Sequence, residues 1–453
     1  MVLLFVNLIV VIIKNKIYSG IVLDQGKQGE GIVYIDQFPI YIPNVIPGDD
    51  IQFKILKVEK RRAFARLQRL IKGSADRTLA RCSVADQCGG CQLQHQSVRS
   101  QLIFKSNLLA SRLGRFIDIS NVDFLPMIQG EQEWATRNKM QFAFAMGSDE
   151  LKIGLSAARS HRVIDLDYCH VMSQEMNDVL KAVKTWHAQD QVPVYDERSG
   201  YGVLRHMSVR YSYFTREVMI ILTTATDFDL RSFREAMTSV KGVVSLFHTI
   251  QGDPTDDRVL GRELHHVWGK LTIDDEVYGI KCQVSPRSFM QANALLVNRL
   301  YEIVFHHIKP EQSILDLYCG TGVMTCAIAQ KFMNVRGVDN NSDAIKDAKK
   351  NADRNNVSVD FYCQDVTDFL DGFPDLSDFC IILDPPRQGC SEEVLKKIGD
   401  ANVGQLIYIS CYPDTLGRDL RLLCNIGFQV ESIQGVDMFC HTPHIEAIAS
   451  LKK

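Results

Sequence analysis

No excess of positive charge marks this chain: 51 Lys and Arg stand against 54 Asp and Glu, a net charge of −3 over 453 residues. That balance excludes a uniformly basic nucleic-acid binder, so a polyanionic partner would have to be met by local patches. Long apolar runs are missing too. The one run of note, Met1 to Ile13, falls short of the roughly 20 residues that a membrane-spanning helix needs, and it shows neither a basic lead nor a small-residue cleavage site. It reads as an extra strand, a disordered lead or the product of an upstream start codon, and no membrane association is expected. Internal repeats and low-complexity tracts are absent. With 46% hydrophobic and 23% charged residues, the composition is that of a folded protein. The 13 cysteines are scattered through apolar segments without a secretion signal, which argues for a reduced, cytoplasmic chain and against a disulfide framework. No obligate protein partner is evident.

What is present divides into three stretches, a number that the length also suits. Residues 14–72 carry short alternating runs broken by Gly and Pro, among them Gly31 to Ile35, Ile40 to Pro43 and Asp50 to Ile55; this predicts a small β-barrel of the OB type. Residues 73–280 mix a cysteine-bearing loop, a helix near 97–113 and strands such as Lys139 to Phe144 and Val218 to Leu222, predicting a mixed α+β domain. Residues 281–453 alternate strand and helix, predicting a mostly parallel Rossmann-like sheet. The expected fold class is therefore multidomain α/β. Basic residues gather locally: Lys54, Lys57, Lys60, Arg61, Arg62, Arg66 and Arg69 in the first stretch, Arg137, Lys139, Arg159, Arg162, Arg205 and Arg210 in the second. The first group, on a predicted barrel, is a candidate RNA contact.

The chemistry concentrates in the third stretch. Ser313 to Leu317 reads as a buried strand running into Tyr318-Cys319-Gly320-Thr321-Gly322, then a helix from about Met324 to Lys331, then a short strand ending in Asp339. In such a unit glycines let the backbone approach a nucleotide-like ligand and the second acid accepts from ribose hydroxyls. The G-x-G pattern fits NAD and S-adenosylmethionine equally. A further strand, Phe379 to Leu383, ends in Asp384-Pro385-Pro386-Arg387, where two prolines make a rigid lip. Cys411, in Ser410-Cys411-Tyr412-Pro413, follows the apolar run Gln405 to Tyr408. A thiol between a strand end and a helix N-terminus is partly exposed and has its thiolate favoured. Ligands bind outside the carboxyl ends of open α/β sheets, so all these tips should share one crevice. A helix is expected over 292–304. Upstream, Cys82, Cys88 and Cys91 give C-x5-C-x2-C, with Cys169 a candidate fourth ligand; four thiolates suit zinc or an iron-sulfur cluster, and spacing does not choose.

Together these segments resemble the RNA (uracil-5-)-methyltransferase family, from Asn15 to Leu451, in the branch that acts on 23S ribosomal RNA and carries an N-terminal TRAM domain and a [4Fe-4S] cluster. The motifs are Phe289-Met290-Gln291-Ala292-Asn293, Leu315 to Gly320, Leu383 to Arg387, Ser410 to Pro413, and Asp437-Met438-Phe439 through His444-Ile445-Glu446. The turn Pro47-Gly48-Asp49 is similar to that of TRAM domains. The resemblance implies S-adenosylmethionine as cofactor, bound by Gln291, Tyr318, Asp339 and Asp384, with Cys411 as nucleophile and Glu446 as general base. It implies a cluster on Cys82, Cys88, Cys91 and Cys169. The chain departs from the family at Asp339, where many relatives have Glu, and at Tyr412, where Asn is commoner. Two alternatives are a tRNA uracil-C5 methyltransferase, whose bacterial branch typically lacks the TRAM domain and the cysteines, and a noncatalytic RNA-binding assembly factor.

Overall fold

The computed structural model describes residues 12–148, 150–253, 255–256, 258–373 and 375–453, so most of the apolar lead lies outside the described residues. The chain forms two compact units, 1–108 with 441–443, and 109–440 with 444–453.

The first unit holds a six-stranded sheet in the order Ile17–Ile21, Asp50–Glu59, Arg62–Lys72, Phe38–Ile42, Gly31–Ile35, Asp24–Gln25. Its two end strands are near neighbours in sequence, and between them Leu23 donates its N–H to the Ile32 carbonyl at 2.9 Å. Period-2 alternation fixes the faces: Ile51, Phe53 and Ile55 are fully buried with Ile40 and Ile42, while Gln52 and Lys54 lie between them on the other face. The turn at Gly48, with φ of 90°, delivers a buried anchor, Asp49. Burial alone would raise its carboxyl, but the Arg77 guanidinium and the N–H groups of Ser74 and Ile46 hold it below the usual range.

In the second unit an eight-stranded sheet runs Asp360–Cys363, Val335–Asp339, Ser313–Leu317, Phe379–Leu383, Gln405–Ser410, Glu446–Lys452, Gln429–Val436, Asp123–Ile128. The first five strands are parallel and Glu446–Lys452 is antiparallel to Gln405–Ser410. Phe379–Leu383 is apolar throughout and Gln405–Ser410 is buried throughout, as expected where helices cover both faces of a parallel sheet. The order reverses at Ser313–Leu317, which opens a crevice at the carboxyl ends of the strands. The strand Asp123–Ile128 joins this sheet from far upstream, pairing parallel with Gln429–Val436. A seven-stranded sheet, Val163–Asp165 to His265–Gly269 at its edges, and the hairpin Ile273–Val277 with Ile280–Val284 complete the unit.

The helix expected over 292–304 runs instead over Val297–His307. The residues before it are held elsewhere: Asn138 donates from its amide to the Gln291 carbonyl at 2.7 Å and from its backbone to Ala292, and the Asn293 carbonyl takes the N–H groups of Leu296 and Val297 in a turn. Among the described residues no helix is long and apolar enough to cross a membrane.

Candidate active site

After the strand Ser313–Leu317 the backbone enters the left-handed region at Tyr318, Gly320 and Gly322, with φ of 66°, 55° and 68°. A side chain at Gly322 would stand 2.6 Å from Phe361 and 2.7 Å from Ala348, so both conformation and space demand glycine there. Tyr318, which has no such freedom, is held in a costly conformation of the kind found at functional sites. Asp339 stitches the turn to the next strand: its carboxylate accepts from Gly320 N–H at 3.0 Å and from Asn341 N–H at 2.8 Å. Beneath it Asp316 is fully buried and accepts from Thr325 Oγ1 at 2.6 Å. Burial pushes its carboxyl up to about 7 against that hydrogen bond, with the charges of Asp384 and Asp339 adding.

Cys411 sits, half-buried, between the strand Gln405–Ser410 and the helix Pro413–Asn425. Pro413 in the first turn costs nothing, because the N–H it lacks would have no partner there. Burial raises the thiol, Glu446 and Asp384 raise it further, and the nearby Arg387 guanidinium pulls it back. Glu446 opens the strand Glu446–Lys452 and is buried. Burial and the nearby Asp384 push its carboxyl well above the usual range, Arg387 opposing. Asp384 itself is raised by burial to about 7. Cys411 and Glu446 thus both feel one guanidinium, with Asp384 beside them, in a setting where burial lets a carboxyl hold a proton near neutral pH.

Gln291, Tyr318, Asp339, Asp384, Cys411 and Glu446, six positions singled out in the sequence, line one cavity of about 790 Å³. The same wall includes Arg387, Asn138, Asp365 and Phe439, to which no role was given on sequence. Arg387 stood in plain view after Pro385-Pro386, but its partner is 24 positions on. The Arg137 guanidinium lies 4.9 Å from the Phe439 ring centre.

The cysteines upstream are not gathered in the same way. Cys82, Cys88 and Cys91 are half-buried in the first unit, and Cys169 belongs to the second and is buried. Cys88 Sγ accepts from Gly90 N–H at 3.4 Å, and burial raises its thiol to about 11, with Cys91 and Cys82 adding to the rise. Three mutually repelling thiols are donors of the right chemistry for a soft metal centre. Among the described residues, however, no three His, Cys, Asp or Glu side chains form a group that could hold a metal ion.

Residues 256–453 match the family described as tRNA (Uracil-5-)-methyltransferase. An uncharacterized RNA methyltransferase of Clostridium acetobutylicum is 32% identical over 97% of this chain and 98% of its own length. Another, from Halalkalibacterium halodurans, is 34% identical over 97% of each. The crystal structure of Pyrococcus abyssi tRNA (uracil-54, C5)-methyltransferase in complex with S-adenosyl-L-homocysteine superposes with a TM-score of 0.79 at 27% identity, over 96% of this chain and 99% of that one.

Proposed function

Because the chain belongs to the tRNA (uracil-5-)-methyltransferase family of RNA methyltransferases, we propose that it methylates carbon 5 of a uridine in RNA through a covalent bond to Cys411. The observation that carries this reading is the convergence of Cys411, Glu446 and Arg387 on one cavity with the glycine turn and Asp339.

Carbon 5 of uracil is a poor nucleophile. The Cys411 thiolate, favoured by Arg387, adds to carbon 6 and makes carbon 5 electron-rich. S-adenosylmethionine, when bound, supplies the electrophilic methyl group that carbon 5 takes. Glu446 then accepts the proton remaining on carbon 5, the carbon–sulfur bond breaks, and the ring double bond returns. For the cofactor, Asp339 offers its remaining carboxylate lone pairs to ribose hydroxyls, Tyr318 and Gln291 line its path, and Asp384 sits where cofactor and base meet.

The RNA we propose is 23S ribosomal RNA, in the cytoplasm, with the first unit as a closed RNA-binding barrel of the TRAM type. Its strands Asp50–Glu59 and Arg62–Lys72 put Lys54 directly opposite Arg66, and Gln52 opposite Arg69. Like charges facing each other across a strand pair destabilise the sheet, so their presence is better explained by a phosphate backbone that neutralises them. A transfer RNA is the second reading, favoured by the likeness to the Pyrococcus abyssi enzyme. Mapping 5-methyluridine in ribosomal and transfer RNA from cells lacking the gene decides between them: a missing 23S modification supports the first, a missing tRNA modification the second.

A [4Fe-4S] cluster on Cys82, Cys88, Cys91 and Cys169 is part of the same proposal, resting on the family resemblance and the thiol donors. Anaerobically purified protein should then carry iron and sulfide, and Cys88→Ser should lose both. Zinc without sulfide, or no metal at all, would overturn it.

A further inference from the structure

We infer that Thr415, Arg418 and Asp419, on one face of the helix behind the nucleophile, are positioning residues that hold Arg387 against Cys411. The inference rests on the reading of Cys411 as nucleophile and adds to it a device that no motif in the sequence announces. The loop that carries Arg387 has no regular secondary structure between the strand Phe379–Leu383 and the helix Glu392–Asp400. A loop of this kind does not by itself keep a guanidinium beside a thiol in the same cavity.

What keeps it is a ladder of bonds from the helix Pro413–Asn425 to loop residues Arg387, Gln388 and Cys390. Thr415 Oγ1 lies 3.1 Å from the Arg387 carbonyl and 3.0 Å from that of Tyr412, and shares its one proton between them. The Arg418 guanidinium donates to the carbonyls of Gln388 at 2.9 Å and Cys390 at 3.0 Å. Asp419, fully buried, accepts from Cys390 N–H at 2.9 Å and from Tyr408 Oη at 2.6 Å, and Arg418 Nε at 2.7 Å completes its shell. Positions 415, 418 and 419 share a helical face by the i, i+3, i+4 rule. The loop has been fitted to that face: Gly389, with φ of 76°, leaves no room for a side chain, which would stand 2.4 Å from Asp419 Oδ2. Tyr408 lies on the strand that ends at Cys411, so the network fastens strand, helix and loop together.

The groups facing the Cys411 thiol are Arg387 and Asp384 from this loop and Glu446 from the neighbouring strand. Two are acids and oppose the thiolate. Of these three side chains Arg387 favours it, and a small displacement of the loop removes that support, which is how a buried bond some distance from the reacting atoms alters rate.

The test uses the full-length protein with three single variants, Thr415→Val, Arg418→Gln and Asp419→Asn. The pH dependence of Cys411 alkylation by iodoacetamide is followed on its own peptide by mass spectrometry, beside kcat and the affinity for S-adenosyl-L-homocysteine. The expected result is an alkylation profile moved to higher pH and a kcat lower by about tenfold or more, with cofactor affinity within about twofold. Thr415→Val is nearly isosteric and guards against loss of fold in the buried Asp419 variant. An unchanged alkylation profile in folded Thr415→Val and Arg418→Gln would overturn the inference. Methyl transfer surviving Cys411→Ala would instead overturn the reading beneath it, so the two failures are distinguishable.

Discussion

Cys411 and Glu446 share the influence of one guanidinium, with Asp384 close by, and in the proposed mechanism their protonation governs when each acts. Glu446 is held well above the ordinary carboxylate range by burial and by Asp384, so at low pH it carries a proton and does not accept the one on carbon 5. Elimination of the enzyme should therefore speed up as pH rises through the raised value. Removing the Asp384 charge removes one of the two causes of the rise, and Asp384→Asn should move that limb to lower pH even as it slows the reaction overall. The check is the decay of preformed protein–RNA adduct across a pH series. A limb that stays in place, or falls with rising pH, contradicts the assignment of Glu446 as base. Cys411 was singled out by its place after a strand end and Glu446 by the family resemblance at His444-Ile445-Glu446, and both line the cavity. Arg387's place near the thiol and Asn138's hold on Gln291 join residues far apart in the chain, and no local pattern records them.

At the scale of elements, the turn between Leu317 and Val323 places three residues in the left-handed region. Gly322→Ala has to place a methyl group against Phe361 and Ala348 at a positive φ, which should cost about 1–3 kcal/mol of stability and weaken cofactor binding through displacement of Gly320 and Asp339. Thermal unfolding and calorimetric titration with S-adenosyl-L-homocysteine measure both; a variant as stable and as tight-binding as the parent contradicts this account of the turn. The strand Phe379–Leu383 was readable from its unbroken apolar run, and the strand Val335–Asp339 and the helix Val98–Leu113 lie close to where periodicity put them. The helix Val297–His307 was misplaced because its expected first turns are claimed by Asn138, and tertiary packing outweighs a weak local propensity. Asp123–Ile128 escaped notice as a sheet member because its partner strand, Gln429–Val436, is distant in sequence.

For the whole molecule the question is how a near-neutral chain selects RNA. A stacked base hides carbons 5 and 6, so the target uridine must be looped or flipped out, with the unstacking energy, a few kcal/mol, supplied by binding elsewhere on the RNA. If the outer face of the first unit supplies it, replacing Lys54, Arg66 and Arg69 by Gln should reduce the slope of log affinity against log salt by roughly 0.7–0.9 for each phosphate that is no longer neutralised, while cofactor affinity stays unchanged. Equal slopes for the two proteins would place RNA binding elsewhere. The central claim, that chemistry passes through a bond from Cys411 to the RNA, is tested most directly by trapping that bond. Glu446→Gln incubated with S-adenosylmethionine and substrate RNA should give a denaturing-gel adduct containing 5-methylated uridine on the Cys411 peptide, and the Cys411→Ala, Glu446→Gln double variant should give none. No adduct from the single variant, or one that persists without Cys411, would contradict the account.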